Sequence, residues 1–212
     1  MQILPNILRV ADASGKRAVQ RCDFLAPPPF SDIPDGLFRS YLSPAYTATV
    51  KQVREWMEDA GMHCRIDAAG NLIGRYEGLA PNAPALLIGS HLDSVKNAGK
   101  YDGTLGVILG IEAVASFHAQ QKRFPFAIEV IGFGDEEGSR FPVSMLTSRA
   151  VAGSLDALPD VQDAQGTSIQ QALQESGLDP AQYLKASYKP SQVLAYFEAH
   201  IEQGPVLEST HH

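Results

Sequence analysis

Cysteine is scarce in this sequence: two in 212 residues, Cys22 and Cys64, far apart and without CxxC spacing. That excludes a disulfide framework and a thiolate metal knuckle, and it predicts a reduced, cytoplasmic chain. Positive charge is also short, with 17 Lys and Arg against 24 Asp and Glu and a net charge of −7. Such a field disfavours nucleic acid and anionic membrane surfaces, so neither is an expected partner. No apolar run approaches the roughly 18 residues that span a bilayer. The opening MQILPNILRV has no basic segment leading into an apolar one and does not read as an export signal. There is no G-x-S-x-G elbow for a serine nucleophile. Cys64 follows His63, but a small buried residue is the expected role for each thiol. Internal repeats and low-complexity segments are missing too.

What is present is an ordinary soluble composition, 44% hydrophobic and 19% charged, long enough for one substantial domain. Residues 1–40 read as an irregular amino-terminal arm; DFLAPPPFSDIPDGLFRS alone carries four prolines. Ser43 and Pro44 then open a helix that closes at Gly61, with Val50, Val53, Trp56 and Met57 as a core-facing stripe. HCRIDAAG and NLIGRYEG suggest a strand pair turning at Ala-Gly-Asn. ALLIGSH (85–91) is a continuous apolar run, the pattern of a strand buried on both faces. A helix over 103–121, a strand in FAIEVIGFGDEEGSRF, a short helix in SIQQALQESG and a strand in VLAYFEAHIEQG follow. This alternation predicts an α/β fold with a mostly parallel sheet.

In such sheets ligands bind beyond the carboxyl ends of the strands. Three clusters of ionisable residues fall there: His91, Asp93 and Asp102; Glu136 and Glu137; His200 and Glu202. Neutral imidazole and carboxylate are ligands for zinc and manganese-like ions, and one carboxylate can bridge two ions. Asp93, two residues after His91 in extended backbone, is placed to accept the histidine's other N–H. Glu136 and Glu137 would point to opposite sides of an extended segment, one toward metal and one toward substrate as general base. Each cluster taken singly also reads as a polar strand end or a solvated acidic loop; the shared position at strand ends is what favours metal.

The combination GSHLDSV…NAGKYDGTLGV, GFGDEEGSRFP and HIEQGPVLE resembles the zinc-dependent amidohydrolases related to aminoacylases and dinuclear carboxypeptidases. Within them it is similar to the branch of allantoate amidohydrolase, N-carbamoyl-L-amino-acid hydrolase and β-ureidopropionase. DAAGNLIGRYEG and WMEDAGM fit the same branch, and the likeness runs from about Leu37 to Glu208. The resemblance implies a three-layer domain with helices on both faces of the sheet. It implies two divalent ions, zinc or manganese, per full-length subunit. His91 and His200 would hold the first ion, Asp102 would bridge both, and Glu137 would hold the second. Glu136 would be the catalytic base, with Asp93 orienting His91, while Arg140 and Gln203 would line the substrate pocket. The histidine at position 200 points away from peptidases. The implied reaction is hydrolysis of an amide or ureido C–N bond of a small molecule, allantoate first and N-carbamoyl amino acids second.

The resemblance covers only the first part of the catalytic domain. A lid or dimerisation domain, through which the relatives form homodimers, and the returning part of the catalytic domain have no counterpart here. The expectation is a sheet with an uncovered edge that binds the first ion best and turns over little alone. A non-catalytic metal-binding subunit is the alternative from another class.

Overall fold

The computed structural model describes residues 13–211. The opening residues 1–12, with the stretch read as lacking an export signal, lie outside the described residues. Helix α1 (Gly15–Phe24) is followed by α2 (Pro44–Asp59), β1 (His63–Ile66), β2 (Leu72–Tyr76) and β3 (Ala85–His91). Then come α3 (Thr104–Ala119), β4 (Ala127–Phe133), α4 (Leu146–Val151) and α5 (Ile169–Glu175). Two 3-10 turns lead into β5 (Val193–Phe197) and a last short helix, α6 (Val206–Ser209). No described helix is long and apolar enough to cross a membrane.

The expected α/β layering is what the chain adopts, but the sheet is mixed. Its order is β1-β2-β4-β3-β5. β4, β3 and β5 are mutually parallel, whereas β2 runs antiparallel to both β1 and β4. Connection length decides this. The link from β2 to β3, residues 77–84, is too short for a crossover helix, so the chain returns antiparallel. Between β3 and β4 the chain carries α3, the crossover that parallel strands require.

Helices α2 and α3 cover one face. A Cβ on Gly110 of α3 would meet Ile88 and Val130, and one on Gly74 of β2 would meet Met57 of α2. Side chains there, among them Trp56, Val53, Ile108, Ile111 and Val130, are fully buried. At the start of α2, Ser43 Oγ accepts the Tyr46 N–H at 3.1 Å and Pro44 takes the first helical position, as read from sequence. The opposite face, with Leu87, Phe133 and Tyr196, looks across a cavity of about 610 Å³ toward α4 and Tyr188. β5 is the outer strand and shows Leu194 and Phe197 to solvent at 56% and 60% exposure.

The arm is not irregular throughout. Gly15–Phe24 is helical and lies against α3, with Ala18 and Cys22 buried. Arg17 and Arg21, one turn apart, reach the carboxylate of Glu112 on α3 at 2.8 and 2.9 Å. The contact with α3 is what makes a helix of Gly15–Phe24, a stretch without proline.

Candidate metal centre

His91 closes β3, and its Nδ1 stands 2.9 Å from the carbonyl oxygen of Asp93. A carbonyl only accepts, so Nδ1 carries a proton, and in the neutral ring Nε2 is the nitrogen with the lone pair. His200 repeats the arrangement, with Nδ1 2.9 Å from the Ile201 carbonyl. The two imidazoles stack, centroids 5.7 Å apart and planes 27° from parallel. Asp102 Oδ1 lies 3.9 Å from His91 Nε2 and 3.4 Å from His200 Nε2.

Two glycines make this approach possible. Gly103, at φ +64°, lies under the His91 ring, and a Cβ there would come within 2.4 Å of Nε2. Gly106, in the first turn of α3, lets the Ala199 carbonyl cross at a point where a Cβ would be 2.3 Å away. The crossing sets His200 beside His91.

Among the described residues two groups of three donors could hold an ion: His91, Asp102 and His200, and His91, Glu136 and Glu137. Within each group the ligand atoms lie within 4.8 Å of one another. A tetrahedral ion with ligands at about 2.0–2.1 Å separates neighbouring ligands by about 3.4 Å. The His200–Asp102 spacing of 3.4 Å meets that, and the His91–Asp102 spacing of 3.9 Å is a little wider. Neutral imidazole nitrogens with carboxylate oxygens suit a zinc- or manganese-like ion.

Asp93 supports His91 through its backbone carbonyl; its carboxylate oxygen is 3.7 Å from Nδ1. That carboxylate accepts instead from the backbone N–H groups of Glu136 at 3.1 Å and Glu137 at 3.3 Å. Glu136 and Glu137 do not diverge on extended backbone, because Asp135 turns the chain at φ +48° and both carboxylates reach the neighbourhood of His91. Arg140, expected in the substrate pocket, donates through Nε to Asp163 at 3.2 Å and through Nη1 to the Tyr41 carbonyl at 2.7 Å. Gln203 turns its amide onto Asp102, and Glu202 leaves the cluster to accept the Leu207 N–H at 2.8 Å.

Burial raises the Asp93 carboxyl above the ordinary range, against the pull of His91 and two backbone donors. The Glu137 carboxyl is raised by burial too, with the charges of Asp102 and Glu136 adding and His91 opposing. Both thiols are pushed up by burial, Cys22 to about 12 and Cys64 to about 11, so neither is poised as a nucleophile.

Three supporting residues stand outside the set read from the sequence. Asp135 is fully buried, accepts the Arg140 and Phe141 N–H groups at 3.1 Å, and is pushed up to about 7, mainly by burial. Its place one residue before the acidic pair was the available signal. Glu198 joins β5 to β3 by accepting the hydroxyls of Ser90 and Tyr196, each at 2.7 Å. Arg39, 1% exposed, donates to the carbonyls of Leu25, Phe30 and Leu92 and so fixes the loop after His91. Nothing in the local sequence marks either residue.

The apolar cavity opens on this centre, with His91, Glu136 and Glu198 at one end and Arg149 and Lys189 among its other walls.

The chain is similar to known proteins over most of its length. The chain is 44% identical over 183 residues to allantoate deiminase 1 of Glycine max, covering 84% of this chain and 38% of that protein. It is 49% identical over 158 residues to an N-carbamoyl-L-amino acid amidohydrolase of Geobacillus stearothermophilus, covering 74% and 38%. A hydantoinase/carbamoylase family amidase from Burkholderia ambifaria superposes with a TM-score of 0.82 at 34% identity, covering 97% of this chain and 49% of that one. The chain therefore spans less than half the length of these relatives. The model of peptidase family M20/M25/M40 matches residues 87–212, the span that holds every candidate ligand, and the chain belongs to that family.

Proposed function

We propose that this chain supplies the ion-holding part of a metal-dependent hydrolase of linear amide and ureido C–N bonds. Allantoate is the leading substrate and N-carbamoyl-L-amino acids, with β-ureidopropionate, the second. The observation that carries the reading is the pair of donor groups that share His91 at the carboxyl ends of β3, β4 and β5. The names of its relatives supply the substrate class.

Divalent ions held there would supply Lewis acidity toward the scissile carbonyl and toward water. The protein's own part follows from its donors. Nε2 of His91 has one lone pair and serves one ion only. With His200 and Asp102 it makes the better-furnished group, two nitrogens and a carboxylate. Glu136 and Glu137 are then left with carboxylate oxygens alone, so this chain binds one ion firmly and a second weakly. Glu136, its side chain 35% exposed and 4.0 Å from His91 Nε2, is the group free to take a proton from attacking water. It would return that proton to the nitrogen that leaves. Asp93 fixes the backbone on which Glu136 is carried.

Equilibrium dialysis against zinc and against manganese, with the wild type and Asp102→Ala side by side, tests the site. About one ion per chain, lost in the variant, is the expected result. Ammonia release from allantoate and from N-carbamoyl-L-amino acids by the metal-loaded full-length protein tests the substrate order. No ion in the wild type would overturn the reading.

A further inference from the structure

Gln203 lies at the end of the HIEQG stretch, in left-handed backbone at φ +55°, with its side chain turned back over Asp102. Its Nε2 stands 2.9 Å from Asp102 Oδ1 and 2.9 Å from Oδ2. A carboxylate only accepts, so the amide nitrogen must face it. Among the described residues no other hydrogen bond reaches this carboxylate, which is nearly buried at 9% exposure. Two hydrogen-bond directions are available on each carboxylate oxygen. The amide uses one on each, and Oδ1 keeps another toward His91 Nε2 and His200 Nε2.

We propose that Gln203 is a positioning residue: its amide sets the rotation of the Asp102 carboxylate and so the direction from which that group meets a divalent ion. The proposal rests on the metal reading of the site, and it gives Gln203 a different task from the substrate contact expected from sequence. The two tasks separate cleanly. A substrate contact acts on KM and leaves ion affinity alone. A partner that orients a ligand acts on ion affinity, by about tenfold to a hundredfold when removed. Gln203 is exposed, so its replacement leaves the core intact.

The experiment is zinc affinity by competition with a chromophoric chelator, on the wild type, Gln203→Ala, Gln203→Glu, Gln203→Gly and Asp102→Ala, with the melting temperature of each. Loss of about tenfold or more in affinity in all three Gln203 variants is expected. Gln203→Glu should lose as much as Gln203→Ala, because it keeps the shape but has no donor. Gln203→Gly suits the left-handed backbone, so wild-type affinity in that variant would show that the side chain is not needed and would overturn the proposal. Affinities of all three variants within about twofold of wild type would overturn it as well, whether or not the KM for a ureido substrate rises. If Asp102→Ala still abolishes binding in that case, the metal reading stands and this proposal alone fails. If the wild type binds no zinc, both fall together.

Discussion

The carboxylate of Asp93 accepts the backbone N–H of Glu136 at 3.1 Å, across 43 residues of sequence. The same carboxylate takes the Glu137 N–H at 3.3 Å, while the Asp93 carbonyl takes the Nδ1 proton of His91. One buried residue thus ties the end of β3 to the loop after β4. Asp93→Asn keeps one acceptor and turns an amide donor toward the second N–H. Urea unfolding should show a loss of about 1–3 kcal/mol, and zinc affinity should fall with it. An Asn variant equal to wild type in both would remove Asp93 from this role.

His91 rests on Gly103 so closely that Gly103→Ala would put a Cβ 2.4 Å from Nε2. The left-handed φ of +64° adds about 1–2 kcal/mol of strain for any other residue. The ring must move, and its lone pair moves with it. Chelator competition should record at least a tenfold loss of zinc affinity, beyond what the small drop in melting temperature accounts for. Unchanged affinity would mean that His91 is not a ligand.

Much of this arrangement is legible before folding. The apolar run Ala85–Gly89 announces a buried strand, and a histidine at its end is exposed to whatever lies beyond the sheet. Ser43-Pro44 marks the start of α2 because capping is local chemistry. The spacing of Arg17, Ala18, Arg21 and Cys22 also carries helical period, yet only Glu112, far along the chain, gives that spacing a use. Glu136 and Glu137 sit on one side because of a left-handed turn at Asp135, which the residue type permits but does not require. Arg140 and Gln203 could be numbered from motifs, but their partners Asp163 and Asp102 are set by loops whose course is tertiary. Local signals name the elements and the candidate ligands; the supports come from contacts across the sheet ends.

Glu129, in the middle of β4 and 2% exposed, tests the electrostatics of the opposite face. Burial would raise its pKa, but the hydroxyl of Tyr188 and the guanidinium groups of Arg65 and Arg75 outweigh burial and hold it below the ordinary range. A group with a depressed folded pKa contributes stability above its unfolded pKa of about 4.3 and loses it as pH falls through the folded value. Stability should therefore decline below about pH 4.3, and Glu129→Gln should decline less over that window. At neutral pH the variant should be weaker by about 1–3 kcal/mol. Urea midpoints at pH 3, 4, 5 and 7 decide it; parallel curves for the two proteins would assign the acid sensitivity elsewhere.

Glu112 holds α1 to α3 by accepting the Ser14 N–H at 3.0 Å, Arg17 at 2.8 Å and Arg21 at 2.9 Å. The three side chains are at most 6% exposed, and burial lowers the Arg21 pKa to about 10 even against the pull of Glu112. Removing Glu112 takes the shared carboxylate from two buried guanidinium groups, at a cost of about 3–5 kcal/mol. Glu112→Ala should therefore lower stability by that order and open α1 to amide hydrogen exchange ahead of the sheet. Glu112 lies eight residues beyond Thr104, about 12 Å along the helix from the end that meets His91. Zinc affinity of the folded variant should consequently stay within about twofold of wild type. If affinity falls together with stability, the amino-terminal helix is itself part of what holds Asp102 and Gly103 in place, and the centre extends further into the fold than its ligands.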